Sequence, residues 1–388
     1  MSLTFDSARI PNPHLTEDHL AWRDALRRFV DKEIMPYAED WDEAGHIPIA
    51  LWPKAAEVGL LGAGYPEQYG GMETDSWHSW IINEELSRVG VGGLSASLMV
   101  HGIGLPPVIN WGTEAMKAEI APPVLRGESW ISLGITEPGG GSDVASLQTT
   151  AVRDGDHYIV NGSKTYITGG MRANYVSTAV RTGGDGATGV SMLLIPTDAE
   201  GFSRTALDKK MGWWASDTAT LYFDNVRVPI SNLIGQENQG FRVIMTNFNS
   251  ECMGVAAAME AYGRVCWEEA VNWARERQTF GKRLADHQVI RHKIAMMKQK
   301  LNATQAYIRI CYEAIEAGEA NAGDIALLKV QASEVMEFCA REAMQILGGV
   351  GYMRGNRVER IYREVRVNAI GGGSEEIMRD LASRQYGL

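Results

Sequence analysis

HYIVNGSKTYIT, residues 157–168, alternates apolar and polar side chains on both sides of Asn161-Gly162. Period two marks strands, and Asn-Gly supplies the positive φ angles of a type I′ turn, so the stretch predicts a β-hairpin. Working outward, YVSTAVRT (175–182), VSMLLIP (190–196) and TATLYFDNVRVP (218–229) read as further strands, divided by the Gly/Asp cluster at 183–186 and by Gly201 and Gly212. No helical pattern interrupts them. Residues 129–235 therefore predict an antiparallel sandwich or barrel, not a doubly wound sheet.

The period changes on either side. In LAWRDALRRFVDKEIMPYAEDW (20–41), Leu20, Leu26, Phe29, Val30 and Ile34 recur near 3.6 residues, Thr16 can cap the start, and Pro36 marks a kink or stop. Similar patterns continue to Pro122 and Pro123, which break them, so residues 1–128 predict a helical domain. Long helical runs return at roughly 239–278, 286–317 and 323–347, with shorter ones after 357, and residues 236–388 predict a helical bundle. The order all-α, all-β, all-α is an α+β multidomain arrangement.

Composition removes several function classes. The chain has 388 residues, 45% hydrophobic and 22% charged, which is ordinary globular material. Lys and Arg total 37 against 48 Asp and Glu, a net charge of −11, the wrong balance for a nucleic-acid partner. Cys252, Cys266, Cys311 and Cys339 show no C-x-x-C spacing, and His287 and His292 are five apart, so no metal ligand set is predicted. No apolar run is long enough for an integral membrane segment, and no leader pattern opens the chain, so a cytoplasmic location is expected. There is no G-x-G-x-x-G between strand and helix, and GSKT at 162–165 is not a P-loop.

Three glycine-rich stretches sit where elements end. ISLGITEPGGGSD (131–143) presents backbone amides able to hold an oxyanion or phosphate, and equally reads as a surface loop. QILGGVGYMRGN (345–356) closes a helix with a glycine cap. NAIGGGSEEIMRD (368–380) opens one, with Ser374 at the N-cap. One acid stands out: in FRVIMTNFNSECMGVAAAMEAYG (241–263), Glu251 shares a face with Ile244, Phe248, Val255 and Ala258. A carboxylate on a buried stripe has its pKa raised toward neutrality, which suits a general base; a partner arginine explains it as well. Near Gly281, Arg277, Thr279 and Phe280 end a helix where an arginine can reach a phosphate or simply face solvent.

Together these stretches resemble the acyl-CoA dehydrogenase family over nearly the whole chain. TEPGGGSD is similar to its TEPGAGSD signature and YITGG (166–170) to its W-I-T-N strand; KMGWWASDTATLYFDNVRVP, RQTFGK, HQ, QILGGVGY and IGGGSEEIMRD follow in the family's order. The resemblance implies a homotetramer built as a dimer of dimers, with FAD held between the β-domain and the C-terminal four-helix bundle. It implies that Leu133, Thr136, Gly141 and Ser142 contact the flavin or its phosphates, that Tyr166 stacks near the isoalloxazine, and that Thr168 approaches N5. Arg277, Phe280, Gln288, Gln345 and Gly349 would come from the neighbouring subunit, and Ser374 and Glu376 would complete the site.

The implied reaction is α,β-dehydrogenation of an acyl-CoA thioester to the trans-2-enoyl-CoA, with hydride to flavin N5 and electrons to an electron-transfer flavoprotein. Ser142, Asn249, Ser250 and the Gly372 amide would contact substrate. Most members carry a glutamate base where this chain has Gly372; in the isovaleryl-CoA and long-chain branches the base lies on the first helix of the C-terminal domain, at the position of Glu251. Gly371, Gly372 and Gly373 would then leave room for a bulky or branched acyl group. Cys252 replaces a usual arginine, Tyr166 a tryptophan and Gly169 an asparagine. An oxygen-using oxidase or monooxygenase on the same fold, or a non-catalytic flavin or acyl-CoA binding protein, are the rival readings; the former generally lack a glutamate at either position.

Overall fold

The computed structural model describes residues 3–388. Its main helices are α1 (Glu17–Phe29), α2 (Ser76–Ser87), α3 (Glu114–Leu125), α4 (Gly240–Glu276), α5 (Gln288–Glu316), α6 (Ala322–Leu347), α7 (Arg357–Ile370) and α8 (Glu375–Gln385). The strands are β1 (Ile131–Gly134), β2 (Thr150–Asp154), β3 (His157–Thr168), β4 (Tyr175–Arg181), β5 (Val190–Pro196), β6 (Phe202–Ala206), β7 (Thr218–Pro229) and β8 (Leu233–Ile234), with β9 (Gln278–Thr279) and β10 (Lys282–Arg283) forming a separate pair. The chain forms two compact units. One takes the described residues up to Glu39 with Thr74–Gly92 and Cys252–Leu388; the other takes Asp40–Glu73 and Gly93–Glu251.

The second unit is built on one sheet in the order β6-β7-β3-β2-β4-β5-β8, with β1 paired to β4. Most neighbours are antiparallel, but β1 and β2 meet β4 in parallel, so the sheet is mixed. β4 and β5 bury both faces. Val176, Val180, Leu193 and Ile195 pack with Tyr158, Val160, Leu221 and Val226, while Ala179, Met192 and Leu194 pack under Leu105, Val108, Met116 and Ile120. A strand covered on both sides reads as a continuous apolar run, as VSMLLIP does.

Asn161-Gly162 is not a turn. β3 runs unbroken through it, and the turn to β2 is Gly155-Asp156, with Gly155 at φ 61, the glycine-first pattern of a type II′ turn. Opposite Asn161, β7 carries a bulge at Asn225 (φ 55), whose N–H finds Asn161 Oδ1 at 2.8 Å. Asn161 thus satisfies a donor that the bulge releases. Pro122 and Pro123 likewise do not end their helix: α3 runs through them to Leu125, and their carbonyls accept from the N–H groups of Arg126, Glu128 and Ser129 that close it.

In the first unit α6 is the central helix, packing against α5, α7 and α8, while α1 packs on α2. Trp80 stacks on Tyr312 with ring centroids 5.6 Å apart. Asp75 caps α2 and accepts from the rings of His19 (3.0 Å) and His78 (2.6 Å). Because the Thr16 N–H donates to His19 Nδ1, the His19 proton sits on Nε2 facing Asp75, and the trio is a hydrogen-bonded clasp between α1 and α2.

Buried charge crosses the same unit. Arg264 is fully buried, pairs with Glu84, and donates Nε to Glu260 Oε2 at 3.0 Å. Burial pushes the Glu260 carboxyl up to about 7, and its Oε1 has no hydrogen-bond partner among the described residues. Between its unfolded value of 4.5 and about 7, the native state holds a proton that the unfolded state has released. Stability from this group therefore falls as pH rises through that window, at up to about 1.4 kcal/mol per pH unit. Glu260→Gln should flatten urea midpoints measured from pH 5 to 7; curves parallel to the wild type would remove the assignment.

Candidate active site

At the end of β1 the chain leaves the sheet. Leu133 is half-buried opposite Ser177, and the Thr165 N–H donates to Thr136 O at 2.8 Å. Glu137 and Gly140 exchange both backbone hydrogen bonds at 3.1 Å, closing a tight turn over Pro138-Gly139. The Glu137 carboxylate turns inward and accepts from the N–H of Gln148 (2.6 Å), the N–H of Thr149 (2.8 Å) and Lys164 Nζ (2.8 Å). Lys164, with no exposed surface, also donates to Ile135 O at 3.0 Å.

Burial drives the Lys164 ammonium down to about 8, with Glu137 working against that shift; burial of Glu137 raises its carboxyl, but the Lys164 contact outweighs it and holds it low. Both stay charged at neutral pH. This buried pair pegs the glycine loop from below. Above it, residues 138–143 are exposed, open space lies beside Gly139 and Gly140, and Gly141 approaches only Thr136 Cγ2 at 3.4 Å. The amides around Ser142 are therefore accessible to an anion's oxygens, and side chains at those glycines would fill the approach.

β3 next carries the aromatic residue. Its partner register slips by one between Lys164 and Ile167, so Thr165 and Tyr166 together oppose Thr220. Tyr166 takes left-handed backbone (φ 58) and is 71% exposed, while Thr165 turns in to meet Thr220 Oγ1 at 3.0 Å. A bulky residue in that conformation is strained, and such strain gathers at working surfaces. Thr168 is half-buried, its carbonyl held by Ser132 Oγ at 2.9 Å. Gly169 follows at φ 70 with Ser132 and Val100 each 3.1 Å from a would-be Cβ, which accounts for glycine there.

In the other unit, Arg277 follows α4, and Phe280-Gly281 forms the two-residue turn between β9 and β10 with both φ positive (50 and 77). Phe280 is 97% exposed. Arg277, Gln288, Gln345 and Gly349 are exposed too; Gln345 and Gly349 line one surface depression with Met344, Gly348 and Tyr352. Ser374 occupies the N-cap of α8, yet its hydroxyl caps no amide. The carboxyl of exposed Glu376 is held low by its own backbone N–H and by the Ser374 hydroxyl.

Glu251 lies in α4, half-buried, with Asn249 half-buried and Ser250 exposed. The stripe expected to be buried is not: Ile244, Phe248, Val255 and Ala258 are all half-buried, and the core face of this helix carries Cys252, Met253, Ala256 and Ala257. Spacing identified one face of the helix correctly but not which face the core takes. Cys252 fills a core position, where a thiol fits. Gly372 has φ 62 and is exposed.

Family models match three stretches: acyl-CoA dehydrogenase N-terminal domain over residues 16–128, middle domain over 132–226, and C-terminal domain over 238–387. The chain belongs to the acyl-CoA dehydrogenase family. It is an oxidoreductase and a flavoprotein of that family. It is 34% identical to the rat (Rattus norvegicus) mitochondrial long-chain specific acyl-CoA dehydrogenase, over 95% of this chain and 86% of the relative. A probable acyl-CoA dehydrogenase from Mycobacterium abscessus has 44% identity and a TM-score of 0.94, over 96% of this chain and 99% of that one. A structure described as an electron transferring flavoprotein of Acidaminococcus fermentans has 32% identity and a TM-score of 0.91, over 97% and 99%.

Two buried charges of this acyl-CoA dehydrogenase, Glu137 and Lys329, have partners that no motif in the sequence marks. Glu137 falls in a loop pattern, although a lysine at an inward position of β3, Lys164, requires an acid nearby. Lys329, mid-helix in α6, gave no signal. Among the described residues no single helix is long and apolar enough to cross a membrane.

Proposed function

We propose that this enzyme removes the α-proton and β-hydride of an acyl-CoA thioester, giving the trans-2-enoyl-CoA, with Glu251 as proton acceptor. The observation that carries the reading is that a carboxylate stands half-buried in α4 at 251 while glycine occupies 372, where the family's usual base would stand. A half-buried carboxylate stays reachable by substrate, and a base must come within hydrogen-bond reach of the proton it takes. The exposed Gly372 N–H holds the thioester oxygen, so charge that develops as the α-proton leaves meets a donor already aimed. Ser142, Asn249 and Ser250 contact the substrate.

FAD, when bound, supplies the acceptor for the β-hydride. Leu133, Thr136, Gly141, Ser142, Tyr166, Thr168, Ser374 and Glu376 hold it in one subunit, and the exposed Arg277, Phe280, Gln288, Gln345 and Gly349 reach that of a neighbour, in a homotetramer of three-domain subunits. Their shared exposure supports that role. The likeness to the Acidaminococcus protein supports an electron-transfer flavoprotein as acceptor. The three successive glycines at 371–373 suit a bulky or branched acyl group.

A panel of straight, branched and aromatic acyl-CoAs, mixed anaerobically with the yellow protein, tests the whole reading. At least one should bleach the flavin within seconds, with branched chains ahead, and oxygen uptake should stay negligible without an added acceptor. A protein bleached by none is not a dehydrogenase of these substrates.

A further inference from the structure

Lys329 is 2% exposed in the middle of α6, and its ammonium faces the loop joining α7 to α8. Nζ donates to Gly371 O at 2.8 Å and to Gly373 O. One turn further along α6, Ser333 Oγ donates to Glu375 Oε1 at 2.6 Å. The helix holds this loop at two carbonyls and α8 at its first residue, and Gly372 lies between the two carbonyls that the lysine holds.

The peptide joining Gly371 to Gly372 is planar and trans, so its C=O and N–H point in opposite directions. Anchoring Gly371 O on Lys329 therefore aims the Gly372 N–H away from α6. A cation on the carbonyl also polarises the peptide and strengthens its N–H as a donor. A neutral cap would fix the loop equally well without that second effect, and closing α7 does not need the lysine, because the Gly371 N–H already bonds Val367 O at 2.7 Å. Burying an ammonium is costly, and the two carbonyls flanking one glycine offset part of that cost.

We propose that Lys329 is a positioning residue for catalysis, setting the direction and donor strength of the Gly372 amide that receives the thioester oxygen. This rests on the role given to Gly372 above. The donor is worth most where negative charge gathers on that oxygen, so Lys329 acts on α-carbon acidity more than on binding of the chain or of CoA.

FAD-loaded wild type, Lys329→Met and Lys329→Gln are compared in two measurements. The first is the pH at which a bound 3-thiaacyl-CoA, a thioester that ionises at its α-carbon, gives up its proton, followed by absorbance of the enolate. The second is the affinity for the S-alkyl-CoA thioether of the same length, which has no carbonyl oxygen. Lys329→Met should raise the ionisation pH by about two units, a hundredfold loss at the low end of what an oxyanion donor contributes. Thioether affinity should stay within about twofold. Lys329→Gln, which keeps a hydrogen-bond donor and drops the charge, should shift ionisation by about one unit and carries the test if the methionine variant does not fold. Ionisation at the wild-type pH in either variant, or equal loss of thioether affinity, overturns the proposal. Wild-type protein that cannot ionise the analogue at all removes the reading of Gly372 itself, whatever the variants do.

Discussion

Glu251→Gln should bind acyl-CoA, keep its flavin, and lose turnover by about 10²–10⁴-fold, the usual contribution of a positioned base. The substitution is nearly isosteric and changes one oxygen for an amide nitrogen at a half-buried position of α4, so folding gives no reason for the loss. The deficit should lie in kcat, since an amide fills the same space and cannot accept the proton; KM should change little. Stopped-flow flavin reduction with the best substrate of the panel separates the outcomes. A variant that still reduces its flavin at a rate near wild type would require another base. Nothing at 372 can supply one, because glycine stands there.

The second large effect concerns the peg beneath the glycine loop. Removing one partner of a buried ion pair commonly costs about 3–5 kcal/mol, since the other charge is left without compensation. Glu137→Gln should approach that loss and lower flavin occupancy with it. The carboxylate also takes the Gln148 and Thr149 N–H groups on separate oxygens, so the amide, with one acceptor oxygen left, gives up one of these anchors together with the charge. Lys164→Met should cost less than Glu137→Gln, because Glu137 keeps those two amide donors. The double variant Lys164→Met/Glu137→Leu should not return to wild-type stability, since both N–H groups stay unpaired. Urea unfolding together with the ratio of flavin to protein absorbance reads both quantities. Full recovery in the double variant, or normal flavin content in Glu137→Gln, contradicts the role assigned to the pair.

What the residues disclosed and what they withheld divide along physical lines. Helix extents in the C-terminal part were legible because 3.6-residue periodicity persists over many turns: the run expected at 323–347 is α6, Ala322–Leu347. Asn161-Gly162 misleads because the same dipeptide that suits a type I′ turn also suits the place facing a bulge, and only the partner strand decides between them. The face that α4 buries depends on what packs against it, which no single helix records. Glu137 and Lys164 stand 27 positions apart, and Lys329 and Gly371 stand 42 apart. Their pairings exist only after the sheet and the bundle have closed. The residues expected at the surface of the site were readable as motifs, whereas the charges supporting them from below were not.

The slip in β3 sets which way its last residues look. Before it, even-numbered positions such as Tyr158, Val160 and Lys164 point into the protein; after it, the odd-numbered Ile167 does, and Tyr166 faces out. The strand has, in effect, a reading frame, and one surplus residue shifts it. Deleting the codon for Thr165 would take that surplus residue out and leave a plain alternation, Lys164 in, Tyr166 out and Ile167 in, so the lesion would spare the side on which the ring stands and cost it only the left-handed backbone that now sets its tilt.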